Sequence, residues 1–168
     1  LITKERLRTE RFPITFTVLG IENSKVPIKL DTHFIELCPT KPHVHVNTFE
    51  ILEYLKSKDY ALHIITNGFS ETQYVKMKYS GLEKFFESLI HADHTGFKKP
   101  EPEIFDYALS TTNSKAETSI MIGDDIFADV LGAKKMGMGN VFYNPDKKTH
   151  SEEIQYEISN LIELKEIL

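Results

Sequence analysis

Apolar and polar positions fall into blocks along the chain whose period switches between helical and extended. From about Asn47 onward the rhythm is regular. Phe49, Leu52 and Leu55, with Ile51, form a helical stripe, and Asn47 with Glu50 has the spacing of an N-terminal capping box. Residues 61–66 (ALHIIT) then read as a strand closed by the Asn67-Gly68 turn. Ser70 and Gln73 repeat the capping-box spacing at the start of a helix that Gly81 ends. A short strand, SLIHA, follows, and Pro102 suits the first turn of a helix with Ile104, Phe105, Ala108 and Leu109 on one face. SIMIG is the next strand, and residues 126–136 form a helix stopped by Gly137. NVFYN is a further strand, and SNLIELKEIL a closing helix. Strands separated by helices in this way predict parallel βαβ units and a sheet covered on both faces.

Residues 1 to about 40 lack that rhythm. They are mixed in charge, mostly compatible with helix, and divided by Pro13, Pro27 and Pro39. The stretch ITFTVLG (residues 14–20) is in conflict with itself, because its β-branched alternation favours strand while its flanks favour helix.

A length of 168 residues suits one domain, or a core domain with part of a second, and 40% hydrophobic residues are enough for a real core. The net charge of −5 argues against nucleic acid or an anionic membrane as partner, since both require a basic footprint. No apolar run approaches a membrane span and no segment reads as a signal peptide. The single cysteine, Cys38, cannot form an internal disulfide, which points to a reducing, cytoplasmic setting. Beside Pro39, and without a His or Asn motif, it does not read as a nucleophile.

In open parallel sheets, ligands bind beyond the carboxyl ends of the strands. Three polar groups stand at such ends. Thr66-Asn67-Gly68 offers a hydroxyl and backbone N–H groups to a phosphate oxygen, or forms a simple turn. In residues 96–105 (GFKKPEPEIF), Pro100 and Pro102 are expected to hold the loop extended. A lysine there neutralises developing negative charge, or the Lys pair is merely solvated. Asp124, Asp125 and Asp129 either hold a cation or favour a helix dipole. His43 and His45 read as one exposed face of an extended linker, and His33, His63, His91, His94 and His150 lack ligand spacing.

Taken together and in order, these groups resemble the haloacid dehalogenase superfamily. IITNG is similar to its second motif, KKPEPEIF to its third, and MIGDDIFAD to its fourth. From Thr3 to Leu168, the segments HIITNGFSETQ, SGLEKFFE, FKKPEPEIFDYAL, GAKKMGM and VFYN are similar to the pyrimidine 5′-nucleotidase-like branch, which carries a helical cap. The resemblance implies an α/β fold with a Rossmann-like, doubly wound parallel sheet. Residues 1–42 would be part of the cap, with RLRTERFPITFTVLGIEN as cap helix, and residues 43–168 the core domain. It implies a Mg²⁺-dependent phosphomonoester hydrolase for small phosphorylated substrates, nucleotides foremost, that works through an aspartyl-phosphate. Thr66, with Asn67 and Gly68, would bind the transferred phosphoryl group. Lys99 would neutralise nucleophile and phosphate together. Asp124 would ligate Mg²⁺, and Asp129 would support the metal shell or orient Lys99. Asp125 occupies a position that the motif leaves free and is expected to be solvated.

The departure is the first motif. No Asp-x-Asp occurs anywhere in the chain, and HADHT (residues 91–95), the nearest sequence, lacks the second Asp and falls between motifs two and three. The chain opens on LITKERLRTERF without Met, so it is expected to begin inside the cap, with the central first strand and the attacking Asp outside it. Such a fragment is expected to be inactive alone. Val46-Asn47-Thr48 also departs from the Pro-Gly-small turn of the resembling proteins, at the cap hinge. Two alternatives remain: a non-catalytic relative used for binding or assembly, and a metal-independent 2-haloacid dehalogenase. Oligomeric state is not legible.

Overall fold

The structure, a computed structural model, describes residues 4–22 and 26–168. The first three residues of the expected cap segment, and Asn23 at the end of its expected helix, lie outside the described residues. Helices α1 (Lys4–Val18) and α2 (Val26–Leu37) open the chain and pack against each other. Phe12 and Phe34 meet edge to face at 5.9 Å, while Arg11 pairs with Asp31 at 3.2 Å and lies 4.5 Å from the Phe34 ring centroid. Residues 14–18 of the ambiguous stretch are therefore helical. The Thr15 and Thr17 hydroxyls donate to the carbonyls of Arg11 and Pro13 at 2.8 and 3.0 Å, which gives both threonines a partner within the helix. Pro13 lies inside α1 without ending it.

Then follow α3 (Thr48–Ser57), β1 (His63–Thr66), α4 (Ser70–Ser80), β2 (Ser88–His91), the single turn α5 (Ala92–Thr95) and α6 (Pro102–Thr111). Strand β3 (Ile120–Gly123) leads into a π-helical segment, Ile126–Leu131, that continues as α7 (Gly132–Lys135). The chain ends with β4 (Gly139–Tyr143), β5 (Tyr156–Ile158) and a 3₁₀ helix, Leu161–Glu166, where an α-helix was expected.

Pairing is parallel throughout. β1 pairs with β2, placing Thr66 opposite His91, and β3–β4–β5 form a second ladder with Gly123 opposite Phe142. Two apolar layers cover the strands. Ile104, Phe105 and Ala108 of α6 join Ala133, Met138 and Ile90 on one side, against Ile65 and Met121. Ile51 and Leu55 of α3 join Leu164, Val141 and Ile158 on the other, against Ile120 and Ile122. Strand β3 thus sends alternate residues to opposite layers, as a strand buried on both faces must.

Neither predicted capping box forms. Asn47 sits at φ 63° and donates its side-chain amide to Asn160 Oδ1 at 2.8 Å, while Glu50 pairs with Lys165 at 2.8 Å. The box that does form lies elsewhere: Asn160 Oδ1 accepts from Ile162 N, and Glu163 Oε1 accepts from Asn160 N at 2.6 Å. Asn47 and Glu50 found partners across the fold, which no local spacing reveals.

Candidate active site

The site begins at the carboxyl end of β1. Thr66 Oγ1 accepts from Gly68 N at 3.0 Å, which folds residues 66–68 into a tight hydroxyl-closed turn. A Cβ at Gly68 would meet the side-chain end of Gln73, which lies against this turn. The side-chain amide of Asn67 does not point to a free anion site. It brackets the main chain of Lys99, donating from Nδ2 to the Lys99 carbonyl at 3.0 Å and accepting from Lys99 N–H at 2.8 Å.

That bracket ties the β1 loop to the lysine loop. The latter is a turn rather than an extended run: Glu101 N donates to the Lys98 carbonyl at 2.7 Å, and Glu101 Oε2 accepts from Lys98 N at 2.8 Å. The peptide between Lys99 and Pro100 is cis. From this turn the Lys99 side chain runs inward, and its Nζ lies 2.5 Å from Asp129 Oδ1. Only 11% of the lysine side chain and 6% of the aspartate side chain are exposed. A charge buried to this degree is tolerable because the other is beside it; either alone would be strongly unfavourable.

Asp129 is held from behind. Its Oδ2 accepts from Asp125 N at 3.1 Å. A Cβ on Gly123 would collide with the Asp129 carboxylate, so the glycine ending β3 makes room for it. The π-helical turn aims this residue: Val130 N donates to the Asp125 carbonyl at 3.3 Å, five residues back, while Asp129 N donates to the same oxygen at 2.8 Å. Asp125 has a defined task instead of being merely solvated. Although exposed, its Oδ1 accepts from Phe127 N and Ala128 N at 3.0 and 2.9 Å and caps the segment. Asp124 is exposed, and its carboxylate has no hydrogen-bond or ion-pair partner among the described residues.

Thr66, Asn67, Lys99, Asp129 and Asp125 are thus linked by one sequence of contacts at the strand ends, and Asp124 enters only as the chain neighbour of Asp125. Among the described residues, no three His, Cys, Asp or Glu side chains converge as a metal-ligand set. Asp124 supplies one unengaged hard oxygen donor, which fits Mg²⁺ as a single ligand. Both Asp129 oxygens already have partners, which fits a role in orienting Lys99.

A neighbouring group escapes the sequence. Asp93, just past β2, accepts from Ser70 N at 3.2 and 3.1 Å on its two oxygens and from Ser70 Oγ at 2.9 Å. Its Oδ1 also stands 2.6 Å from His91 Nδ1. Burial pushes the Asp93 carboxyl up, but the Ser70 N–H, the Ser70 hydroxyl and the His91 charge together hold it below its ordinary value. Asp93 belongs to HADHT, the stretch whose one acid makes no first motif. Its partner Ser70 stands at the first helical position, with Phe69 as N-cap, so the predicted Ser70 cap is replaced by a carboxylate from α5, the turn after β2.

The class follows from fold and motifs together. Residues 18–142 match the haloacid dehalogenase-like hydrolase family, and the chain belongs to it. Its fold is the α/β fold of that family. Among individual relatives, the chain is 38% identical over 123 residues to the HAD-hydrolase YfnB of Bacillus subtilis, covering 71% of this chain and 52% of YfnB. A crystal structure of YfnB bound to magnesium superimposes with a TM-score of 0.86 at 30% identity, over 98% of this chain and 72% of that one. The glyceraldehyde 3-phosphate phosphatase of Methanothermobacter thermautotrophicus is 35% identical over 129 residues, 73% of this chain and 57% of that protein. The pyrimidine 5′-nucleotidase YjjG of Escherichia coli is 29% identical over 170 residues, 99% of this chain and 73% of YjjG. The chain thus spans little more than half the length of the first two of these relatives.

Proposed function

We propose that the intact protein is a Mg²⁺-dependent phosphomonoester hydrolase for small phosphorylated substrates, with pyrimidine nucleotides its leading class. The observation that carries this reading is the buried Lys99–Asp129 pair, roped to the Thr66 turn by the Asn67 bracket. Such a pair fixes a cation where a phosphoryl group sitting on the Thr66 turn gathers negative charge. A preorganised charge of this kind costs no reorganisation during reaction. Thr66 and the Gly68 turn bind the phosphoryl oxygens, and Lys99 neutralises them; Asp129 keeps the ammonium in place. When bound, Mg²⁺ adds charge neutralisation at Asp124. No Asp-x-Asp occurs in the 168 residues, so the carboxylate that attacks phosphorus and carries the phosphoryl group comes from outside them.

The nucleotidase preference rests on extent. The match to YjjG runs across 99% of the chain and so includes α1 and α2, which we assign to the cap within residues 1–42. The match to the glyceraldehyde 3-phosphate phosphatase covers 73%. Residues 43–168 form the core domain in this reading, and the protein works in the cytoplasm.

The test is phosphate release by the intact protein from pyrimidine nucleoside monophosphates, glyceraldehyde 3-phosphate and a generic aryl phosphate, with Mg²⁺ and with EDTA. Mg²⁺-dependent turnover, fastest on nucleotides, is expected. Faster turnover of the triose phosphate would move the substrate class. Halide release from 2-haloacids in EDTA would replace the reaction altogether.

A further inference from the structure

We infer that Asp93 is a positioning residue for the phosphate-binding loop, acting as the second of two clamps that fix the β1 loop against the lysine loop; this rests on the phosphatase reading above. Strands β1 and β2 are neighbours in register, with Thr66 opposite His91, so the chain leaves both at the same level. Residues 66–70 depart from one strand and residues 91–99 from the other. They are joined by the Asn67 bracket on Lys99, which ties the start of the first segment to the end of the second. They are joined again by Asp93, which takes the main-chain N–H and the hydroxyl of Ser70 together. A single tie would leave the loops free to pivot about Asn67. Two ties fix the orientation of the Thr66 hydroxyl relative to Lys99.

The carboxylate is suited to this. Ionised, it accepts at both oxygens, and its bonds to an N–H at the first turn of α4 gain from the helix dipole. Asp93 is backed in turn by His91, whose ring lies 2.6 Å away, edge-on to Tyr74 and to His94. His94 Nε2 lies within hydrogen-bond distance of the Tyr107 hydroxyl, at 3.1 Å, so the support reaches α6. The only acid in the HADHT stretch is therefore spent on geometry rather than on attack.

The experiment compares the intact wild-type protein with Asp93→Ala, Asp93→Asn, Ser70→Ala and Asp93→Ala/Ser70→Ala. It measures kcat and KM on the best phosphate ester, and the inhibition constant of inorganic phosphate. All assays are run at least ten degrees below the lowest melting temperature. Asp93→Ala should lower kcat/KM by about 10²-fold, the scale of an ångström-sized misplacement, and weaken phosphate inhibition. Asp93→Asn retains an acceptor and should recover most of the loss. The double variant should be no worse than Asp93→Ala, because both changes cut the same tie. An active wild type with Asp93→Ala at unchanged kcat/KM and unchanged phosphate inhibition, even if it melts earlier, would overturn the assignment alone. A wild type inert toward every phosphate ester would overturn the phosphatase reading, and the assignment with it.

Discussion

At the scale of single residues, three acids in a row of six positions carry three different loads. Asp129 balances a buried lysine, Asp125 caps the segment that presents Asp129, and Asp124 alone has an unengaged carboxylate. Their consequences on substitution should separate accordingly. On the proposed phosphatase reading, Lys99→Ala and Asp124→Asn in the intact protein should each lower turnover by at least ~10²-fold, the size of a lost charge contact at a transition state. Asp125→Asn keeps an acceptor for Phe127 N and Ala128 N and should leave turnover nearly unchanged; Asp125→Ala should cost about 1 kcal/mol of stability, as lost caps do. Steady-state assays and thermal melts check both. An inactive Asp125→Asn beside a healthy Asp124→Asn would exchange the two roles. Thr66, Lys99 and the acids were legible because each stands at the end of a readable strand or beside a proline. Asp93 was not, since its partner Ser70 stands 23 positions away and only the parallel register brings them together.

At the scale of elements, legibility followed burial. β1 to β4 were visible as apolar runs because each feeds an apolar layer: Ile65 and Ile90 enter one, Val141 and Tyr143 the other, and β3 supplies both. β5 was missed: Tyr156–Ile158 is short, its first two residues are exposed, and only Ile158 enters the core. The helix over residues 126–136 was legible, its π-helical opening was not, because the five-residue bond from Val130 N to the Asp125 carbonyl has no signature in the spacing of apolar residues. The end of β3 shows the same coupling. Gly123 reads as a strand-to-loop glycine, yet its φ is unremarkable and its importance is spatial: the Asp129 carboxylate occupies the volume of a Cβ. Gly123→Ala should therefore push Asp129 off its seat and misplace Lys99. Overpacking of this kind costs about 1–3 kcal/mol, and activity should fall with it. Calorimetry and the phosphate-ester assay read the two effects. A variant with wild-type melting and turnover would mean that Asp129 can relocate without harm, which the paired burial of both charges argues against.

At the scale of the whole molecule, the two ladders leave a seam. Among the described residues β1 pairs only with β2 and β3 only with β4, so each keeps one edge without a strand. Residues of both edge strands are half-buried, whereas Val141 in β4 is fully buried. Yet the two sides are held together by Lys99–Asp129 and by the α6–α7 layer. Half-buried N–H and C=O groups without partners are unfavourable, and native proteins pair nearly all of them. Exposed edges also invite association with other chains. A parallel strand entering the seam would pair both edges and bring its carboxyl end beside Thr66, Lys99 and Asp124. The relatives extend well beyond the span this chain covers, 52% of YfnB by sequence, so there is chain in them to supply it. Residues 1–168 expressed alone should accordingly melt early, associate, bind Mg²⁺ weakly and release no phosphate. Joined to a preceding segment that carries a strand with an Asp-x-Asp end, they should melt several degrees higher, since about 1 kcal/mol shifts a midpoint by roughly 2–4 °C at this size, and gain Mg²⁺-dependent activity. Scanning calorimetry, light scattering and phosphate release on the two forms make the comparison. A bare 168-residue chain that melts cooperatively as a monomer and hydrolyses phosphate esters would show that the seam is closed by other means and that the attacking group lies within it.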